Sequence, residues 1–302
     1  MHAVVIPIIP AVELKRILFA TDLSETNCAT LPIISTIARR YQSQVLIAHV
    51  WSPSSFPLVS APDTLLMLEA NEKDEITEKV NKFLRSPELA GLQTEALLEE
   101  GTPTAQLPRI VKERGIDLVV VNTHGRTGIK RFLMGSVAED LFRHLNCPVL
   151  TIGPHIAQRF CRQKEISNIL YPTDLVNESQ AIFPYLASIA HEYRAAIKIL
   201  HVLPLETYKN PDVRSLAGPL REKMERIFAP QLSPGCRAKF VIDAGDTVER
   251  ILAHAHADRM DLIGLGVQRA WEISTHLAAT VAYRLVVEAD CPVLTMRSTA
   301  GF

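Results

Sequence analysis

The chain has 302 residues, of which 47% are hydrophobic and 22% charged, with a formal net charge of −1 and five scattered cysteines. This length predicts about two domains, and the composition excludes an intrinsically disordered chain. The charge excludes broad electrostatic binding to nucleic acid or acidic membranes, and an odd set of cysteines without a CxxC pair is typical of a reducing compartment rather than a disulfide framework or a zinc site.

The N-terminus is apolar, but it has no basic region and is interrupted by Pro7 and Pro10. A secretory signal needs a basic stretch before its apolar run, and a membrane span needs roughly 18 uninterrupted apolar residues. Because the chain satisfies neither condition, we expect a cytoplasmic protein without a membrane segment.

Strands and helices then alternate along the chain. In the first part they are predicted, in order, as strand 16–20, helix 24–41, strand 44–50, a helix ending near residue 83, strand 94–100, a helix from 103, strand 116–121, a glycine loop, a helix from 136 and strand 148–152. Pro32 should bend the first helix, whereas Thr102 should cap the third and Gly115 end it. Such alternation predicts a parallel, doubly wound α/β sheet, with ligands beyond the carboxyl ends of its strands.

The second half of the chain repeats the first. Residues 15–23 match residues 167–175 at five of nine positions, a spacing of 167 − 15 = 152. Residues 117–151 match residues 261–295 without gaps, a spacing of 261 − 117 = 144, and twelve of these 35 positions are identical. The difference of 152 − 144 = 8 residues predicts an insertion in the first copy, after His49.

One domain is therefore used twice. We predict the first copy at residues 1–157 and the second at residues 158–302, with residues 153–167 as the connection. The second copy follows the same plan of strands and helices, and Asp246 with Glu249 predicts a capping box in it.

A glycine-rich loop follows the fourth strand of the first copy. Gly125 can let the backbone approach a phosphate, and Gly135 with Ser136 begins a helix, where N–H groups and the helix dipole favour an anion. Arg126 is one of three basic residues in this loop. Ser136 also begins an ordinary S-x-x-E capping box, so the residues alone leave open an anion site or a plain helix start.

Three stretches of the first copy, ATDLSE, AHV and THGRTG…MGSVAE…CPVL, resemble the universal stress protein family. The resemblance covers nearly the whole chain as a tandem pair. It implies two flavodoxin-like domains (Rossmann-like, adenine nucleotide alpha hydrolase-like), each a five-stranded parallel sheet flanked by helices. In the family's nucleotide-binding branch, which carries G-x2-G-x9-G-[ST], it also implies ATP, accompanied by Mg²⁺, between the end of the first strand and the glycine loop.

The first copy keeps most positions that the resemblance assigns to the nucleotide. Asp22 matches the acidic residue near the ribose, and Asn122 replaces the first glycine of the motif. Because asparagine tolerates positive φ better than most residues, we expect it to stand in for that glycine, with a side chain that could crowd or hydrogen-bond the ribose. The adenine and phosphate positions are matched by Ala20, Val50, Val121, Gly125, Arg126, Gly135, Ser136 and Val137.

The second copy has lost the phosphate features. Arg269 replaces the second glycine, and an Ala-Thr pair replaces Gly-Ser. We expect this copy to bind nucleotide weakly or not at all and to act as the structural partner in an internal pseudo-dimer, with the final strands paired as the resemblance implies. The positions that it keeps are Pro172, Asp174, Val202 and Gly266.

No catalytic or metal-binding constellation stands out. His124 in the loop is the one candidate general base, and His49 and His201 end equivalent strands, which favours a shared packing or hydrogen-bonding role. The sequence therefore predicts a non-enzymatic, ATP-binding stress-response regulator, with slow hydrolysis conceivable, an unidentified protein partner and a possible homodimer. The alternative is an interaction module of the same family that binds no nucleotide.

Overall fold

The computed structural model describes residues 12–23, 29–51, 62–123, 141, 145, 147–162, 165–205, 215–267 and 281–297. The strands in these ranges are β1 Arg16–Ala20, β2 Gln44–Trp51, β3 Thr94–Glu100, β4 Leu118–Asn122, β5 Val149–Ile152, β6 Asn168–Pro172, β7 Ala196–Leu203, β8 Ala238–Ala244, β9 Leu262–Val267 and β10 Val293–Arg297. The helices are α1 Thr30–Tyr41, α2 Pro62–Leu84, α3 Pro103–Arg114, α4 Phe183–Tyr193, α5 Ala217–Phe228, α6 Thr247–Ala257 and α7 Val281–Glu288. Short 3-10 helices span Pro87–Leu89, Gln158–Cys161, Asn177–Ile182 and Ala229–Gln231.

All of these strands belong to one sheet, in the order β3-β2-β1-β4-β5-β10-β9-β6-β7-β8. Neighbouring strands are parallel except β5 and β10, which are antiparallel. Each copy therefore contributes five parallel strands in the order 3-2-1-4-5, which is the doubly wound order of α/β folds. The predicted fold class is confirmed, and so is the pairing of the two final strands.

The central strands are buried on both faces of the sheet. Ile17, Leu18 and Phe19 of β1 are fully buried, as are Val119 and Val120 of β4. A run of apolar residues without polar alternation is what a parallel strand needs when helices cover both sides. This is why a pattern of consecutive apolar residues located these strands correctly.

The two copies share one apolar core. A single cluster of buried side chains extends through both copies. Across the antiparallel junction, Leu150 of β5 is paired with Leu294 of β10, and Thr151 with Val293. Leu150 and Leu294 occupy equivalent positions, at a spacing of 294 − 150 = 144, so a local two-fold axis relates the copies at this junction.

The second copy also holds α6 against β7 and β8 with a charged cluster. His254 on α6 lies with Nε2 2.9 Å from Asp243 Oδ2 of β8 and Nδ1 3.4 Å from Lys198 Nζ of β7. Arg250 donates from Nε to the same Asp243 oxygen at 2.8 Å, and Lys198 is ion-paired with Asp258. In the first copy the positions of Lys198 and His254 are held by leucine and isoleucine, so this cluster distinguishes the two copies.

The observed helix ends match the predicted caps only in part. Asp246 Oδ1 accepts a hydrogen bond from Glu249 N at 3.0 Å, as the capping box predicts. Gly115 ends α3 in the left-handed conformation (φ 57°), whereas Thr102 precedes that helix without a side-chain cap hydrogen bond. Pro32 is the third residue of α1, where its missing N–H would have had no helical acceptor, so the predicted bend has no cause.

The described cysteines differ in their bonding. Cys161 is disulfide-bonded, whereas Cys147, Cys236 and Cys291 are free. The spacing of the cysteines did not predict this bond. Among the described helices, none combines the length and the apolar character that crossing a membrane requires.

Candidate functional site

The candidate site lies at the carboxyl ends of β1 and β4, where the strand order of the first copy reverses. Ala20 and Val121 are register partners across these two strands, and Val50 lies near the end of the neighbouring strand β2. Asp22 follows β1 by two residues. Open α/β sheets bind their ligands at this kind of crevice because strand connections leave it in opposite directions.

The turn after the first strand is strained in the same way in both copies. Leu23 has φ 59° and Leu175 has φ 65°, in the left-handed region that non-glycine residues rarely adopt. In each case the leucine N–H donates to a threonine hydroxyl two residues earlier, Thr21 Oγ1 or Thr173 Oγ1, at 3.1 Å. Strain of about 1–2 kcal/mol per residue is typically kept at functional sites. Here the same strained turn carries the intervening aspartate in both copies.

Two equivalent histidines brace this turn. His49 Nδ1 lies 2.8 Å from Thr21 O, and His201 Nδ1 lies 2.7 Å from Thr173 O. With the proton on Nδ1, each ring donates to the carbonyl that precedes the aspartate. The shared hydrogen-bonding role predicted for these histidines is confirmed, and it ties the end of the second strand of each copy to the site.

In the second copy, the corresponding residues enclose a cleft of about 380 Å³. Positions 172, 174, 202, 265 and 266 all line it, and these are the equivalents of the five described residues predicted to hold the nucleotide. The start of α6 at Thr247 and the start of α7 at Val281 close its other sides. A volume in this range is typical of small-molecule sites. The structure thus brings the second copy's equivalents of these positions together around one space.

Asn122 departs from its predicted role. It is absent from the described non-glycine residues with positive φ, so it does not replace a glycine for conformational reasons. Its Oδ1 instead accepts a hydrogen bond of 2.9 Å from the hydroxyl of Thr30, a fully buried residue at the start of α1. The second copy has Ile182 and Gly266 at these two positions. The sequence-based predictions did not include Thr30. The two copies differ at both of these positions together, and this paired difference could have indicated that the two residues are in contact.

The acidic residues of the two sites differ in exposure. Asp22 is half-buried, whereas Asp174 is exposed and accepts a hydrogen bond from Val176 N at 3.0 Å.

The predicted phosphate end of the first site lies outside the described residues, and its assignment stays a sequence prediction. This applies to His124, Gly125, Arg126, Gly135, Ser136 and Val137.

Comparison with known proteins gives a consistent result. The model of the universal stress protein family matches residues 13–153 and again residues 165–297. Universal stress protein MJ0531 of Methanocaldococcus jannaschii is 28% identical over 138 residues, which are 46% of this chain and 81% of that protein. Universal stress protein MJ0577 of the same organism is 26% identical over 156 residues, 47% of this chain and 96% of that protein. A solved universal stress protein from Archaeoglobus fulgidus DSM 4304 has the same fold, with a TM-score of 0.72 at 16% identity, and the match covers 96% of this chain and 98% of that one. Because the family model matches both copies, the chain belongs to the universal stress protein family.

Proposed function

We propose that this protein is an adenine nucleotide-binding regulator that holds ATP in its first copy. The observation that carries the proposal is the cleft of the second copy, where the equivalents of five predicted positions meet at the point where the strand order reverses. The first copy has the same strand order and the same strained turn, and it adds the glycine loop that the second copy has lost.

The residues fit the chemistry of a nucleotide. Ala20 and Val50 offer half-buried apolar surface for the flat faces of an adenine ring, and Val121 is buried beside Ala20 on the neighbouring strand. The carboxylate of Asp22 can accept hydrogen bonds from ribose hydroxyls, as an acidic residue does in other doubly wound folds. Mg²⁺ would accompany the triphosphate, and the basic glycine loop would receive the phosphates.

The second copy has room for a nucleoside. Gly266 and the other retained positions line its cleft, so we attribute its expected weak binding to lost phosphate contacts rather than to lost space. We therefore propose that this copy distinguishes poorly between adenosine and ATP, whereas the first copy prefers ATP. In this scheme the second copy acts mainly as a structural partner.

We further propose that the protein regulates rather than catalyses, in the cytoplasm, with nucleotide occupancy biasing its choice of protein partner or its self-association. The histidines that brace both sites bond to backbone carbonyls, a structural use of the ring. Any hydrolysis of ATP should be slow, because His124 is the only general base that the sequence suggests for the site.

Calorimetric titration of the intact protein with ATP and Mg²⁺ tests the proposal. We expect one tight site, and Asp22→Ala should weaken it about ten-fold or more, because it removes hydrogen bonds to a charged group. The matched variant Asp174→Ala should leave the tight site unchanged. Absence of ATP binding, or loss of the tight site in Asp174→Ala with Asp22→Ala unaffected, would refute it.

One observation favours the alternative, a partner-binding module without nucleotide. The side chain of Asn122 is engaged with Thr30 at the end of β4, where the second copy has a glycine beside its cleft. Mass spectrometry of freshly purified protein separates the two functions. A co-purifying adenine nucleotide supports the first, whereas nucleotide-free protein that still dimerises or captures a partner supports the second.

A further inference from the structure

A second cavity lies between the two copies, on the face of the sheet that α1 and α4 cover. Its volume is about 50 Å³, and its lining is almost wholly apolar. Most lining residues come in equivalent pairs, one from each copy, such as Ile37 and Ile189 or Pro148 and Pro292. The cavity therefore sits on the local two-fold axis and exists only because the two copies are packed together.

Two equivalent tyrosines at this cavity differ in their hydrogen bonding. Tyr193 Oη donates to Thr36 O at 3.1 Å, and the guanidinium of Arg40 lies 4.9 Å from the centre of its ring. Tyr41 Oη is buried, and no group that the structure describes meets hydrogen-bonding geometry with it; the Ser188 hydroxyl, which acts on the pKa of Tyr41, already accepts from Val12 N at 2.9 Å. Burial raises the pKa of Tyr41 above its usual range, so its hydroxyl stays protonated and remains a donor. A buried donor without an acceptor is unfavourable, because it has given up its hydrogen bonds to water without gaining another.

The charged groups of the lining do not make this an ion site. Asp261 accepts from Arg159 at 2.6 Å and from the backbone N of Ser167 at 2.7 Å, so its carboxylate is already satisfied. Glu165 is exposed at the margin of the cavity. Thr36, Tyr185 and Tyr193 also bring hydroxyls to the lining, but Tyr41 Oη is the one that is buried without a hydrogen-bond partner among the described residues.

We propose that this cavity binds a small neutral molecule, apolar except for one hydroxyl or carbonyl oxygen, with that oxygen accepting a hydrogen bond from Tyr41. The size of the cavity limits the class of molecule that it can bind. It exceeds the roughly 10–15 Å³ that one water needs and falls short of the roughly 150 Å³ of a cavity that takes benzene. Short-chain alcohols and ketones of a few non-hydrogen atoms fit this range. Binding here would bridge the two copies and is independent of any nucleotide.

Two probes test the proposal on the intact protein. Xenon, which needs only apolar space, should occupy the cavity in crystals under pressure. In solution, 2-propanol should shift the methyl signals of Ile37 and Ile189 saturably in NMR titrations. Tyr41→Phe should keep the xenon and weaken 2-propanol about three- to ten-fold, since one hydrogen bond is lost.

The matched control is Tyr193→Phe, whose hydroxyl already has a partner, and it should leave 2-propanol binding unchanged. Tyr41→Phe removes an unpaired hydroxyl and so should fold normally. Absence of xenon from the cavity, an ordered water retained on Tyr41 in crystals soaked with 2-propanol, or equal 2-propanol affinity in wild type and Tyr41→Phe would each overturn the proposal.

Discussion

The hydrogen bond between Thr30 and Asn122 makes a residue-level prediction about both stability and binding. Asn122→Gly should lower the free energy of unfolding by about 1–2 kcal/mol, because the buried Thr30 hydroxyl loses its acceptor and a glycine enters a strand. It should also raise ATP affinity, since it removes a side chain at the position where Gly266 lines the cleft of the second copy. Urea unfolding and calorimetry measure the two effects. Thr30→Val is the control: it should lose stability without gaining affinity. Unchanged stability in Asn122→Gly would contradict this account.

The charged cluster that holds α6 makes the stability of this element depend on pH. Burial lowers the pKa of His254; its hydrogen bond to Asp243 opposes this shift, and the charge of Lys198 adds to it. The folded state therefore binds fewer protons than the unfolded state. The contribution of His254 to the free energy of unfolding is complete above about pH 6.5, and it is lost as the pH falls through the lowered pKa. Arg250 and Asp258 are the other charges that face it.

Urea unfolding between pH 7.5 and 5 should show wild type losing stability relative to His254→Gln, which keeps a hydrogen-bonding side chain but does not titrate. The exposed His256 on the same helix supplies the control, and His256→Gln should follow wild type. Parallel pH profiles for wild type and His254→Gln would show that the cluster does not couple to protons in this range.

The sequence predicted the elements and the doubly wound plan because repeated apolar strands and caps such as Asp246 are local signals. It also predicted where along the chain the candidate site lies, because the repeat aligns the strand ends of the two copies. The rest depends on contacts between distant residues. The Thr30–Asn122 bond joins a helix to a strand some 92 positions away, and the cavity at Tyr41 forms only where the copies meet. The disulfide of Cys161 likewise has no local signature.

At the scale of the whole molecule, the continuous sheet and the single apolar cluster predict that both copies unfold together. Leu150→Ala tests this, because Leu150 is 2% exposed and is paired with Leu294 across the antiparallel junction. Deleting such a buried side chain should destabilise the protein by about 2–5 kcal/mol.

The chain's two tryptophans report on the copies separately, Trp51 on the first and Trp271 on the second. Replacing either one by phenylalanine leaves a single fluorescence probe for denaturant unfolding. If the junction makes one cooperative unit, the two probes give coincident transitions, and Leu150→Ala moves both midpoints by the same amount. Two independently stable domains would instead give separate transitions, with Leu150→Ala displacing chiefly the one that Trp51 reports. Coincident transitions would mean that any ligand stabilising one copy, whether at the strand ends or between the copies, stabilises the other through the paired strands β5 and β10.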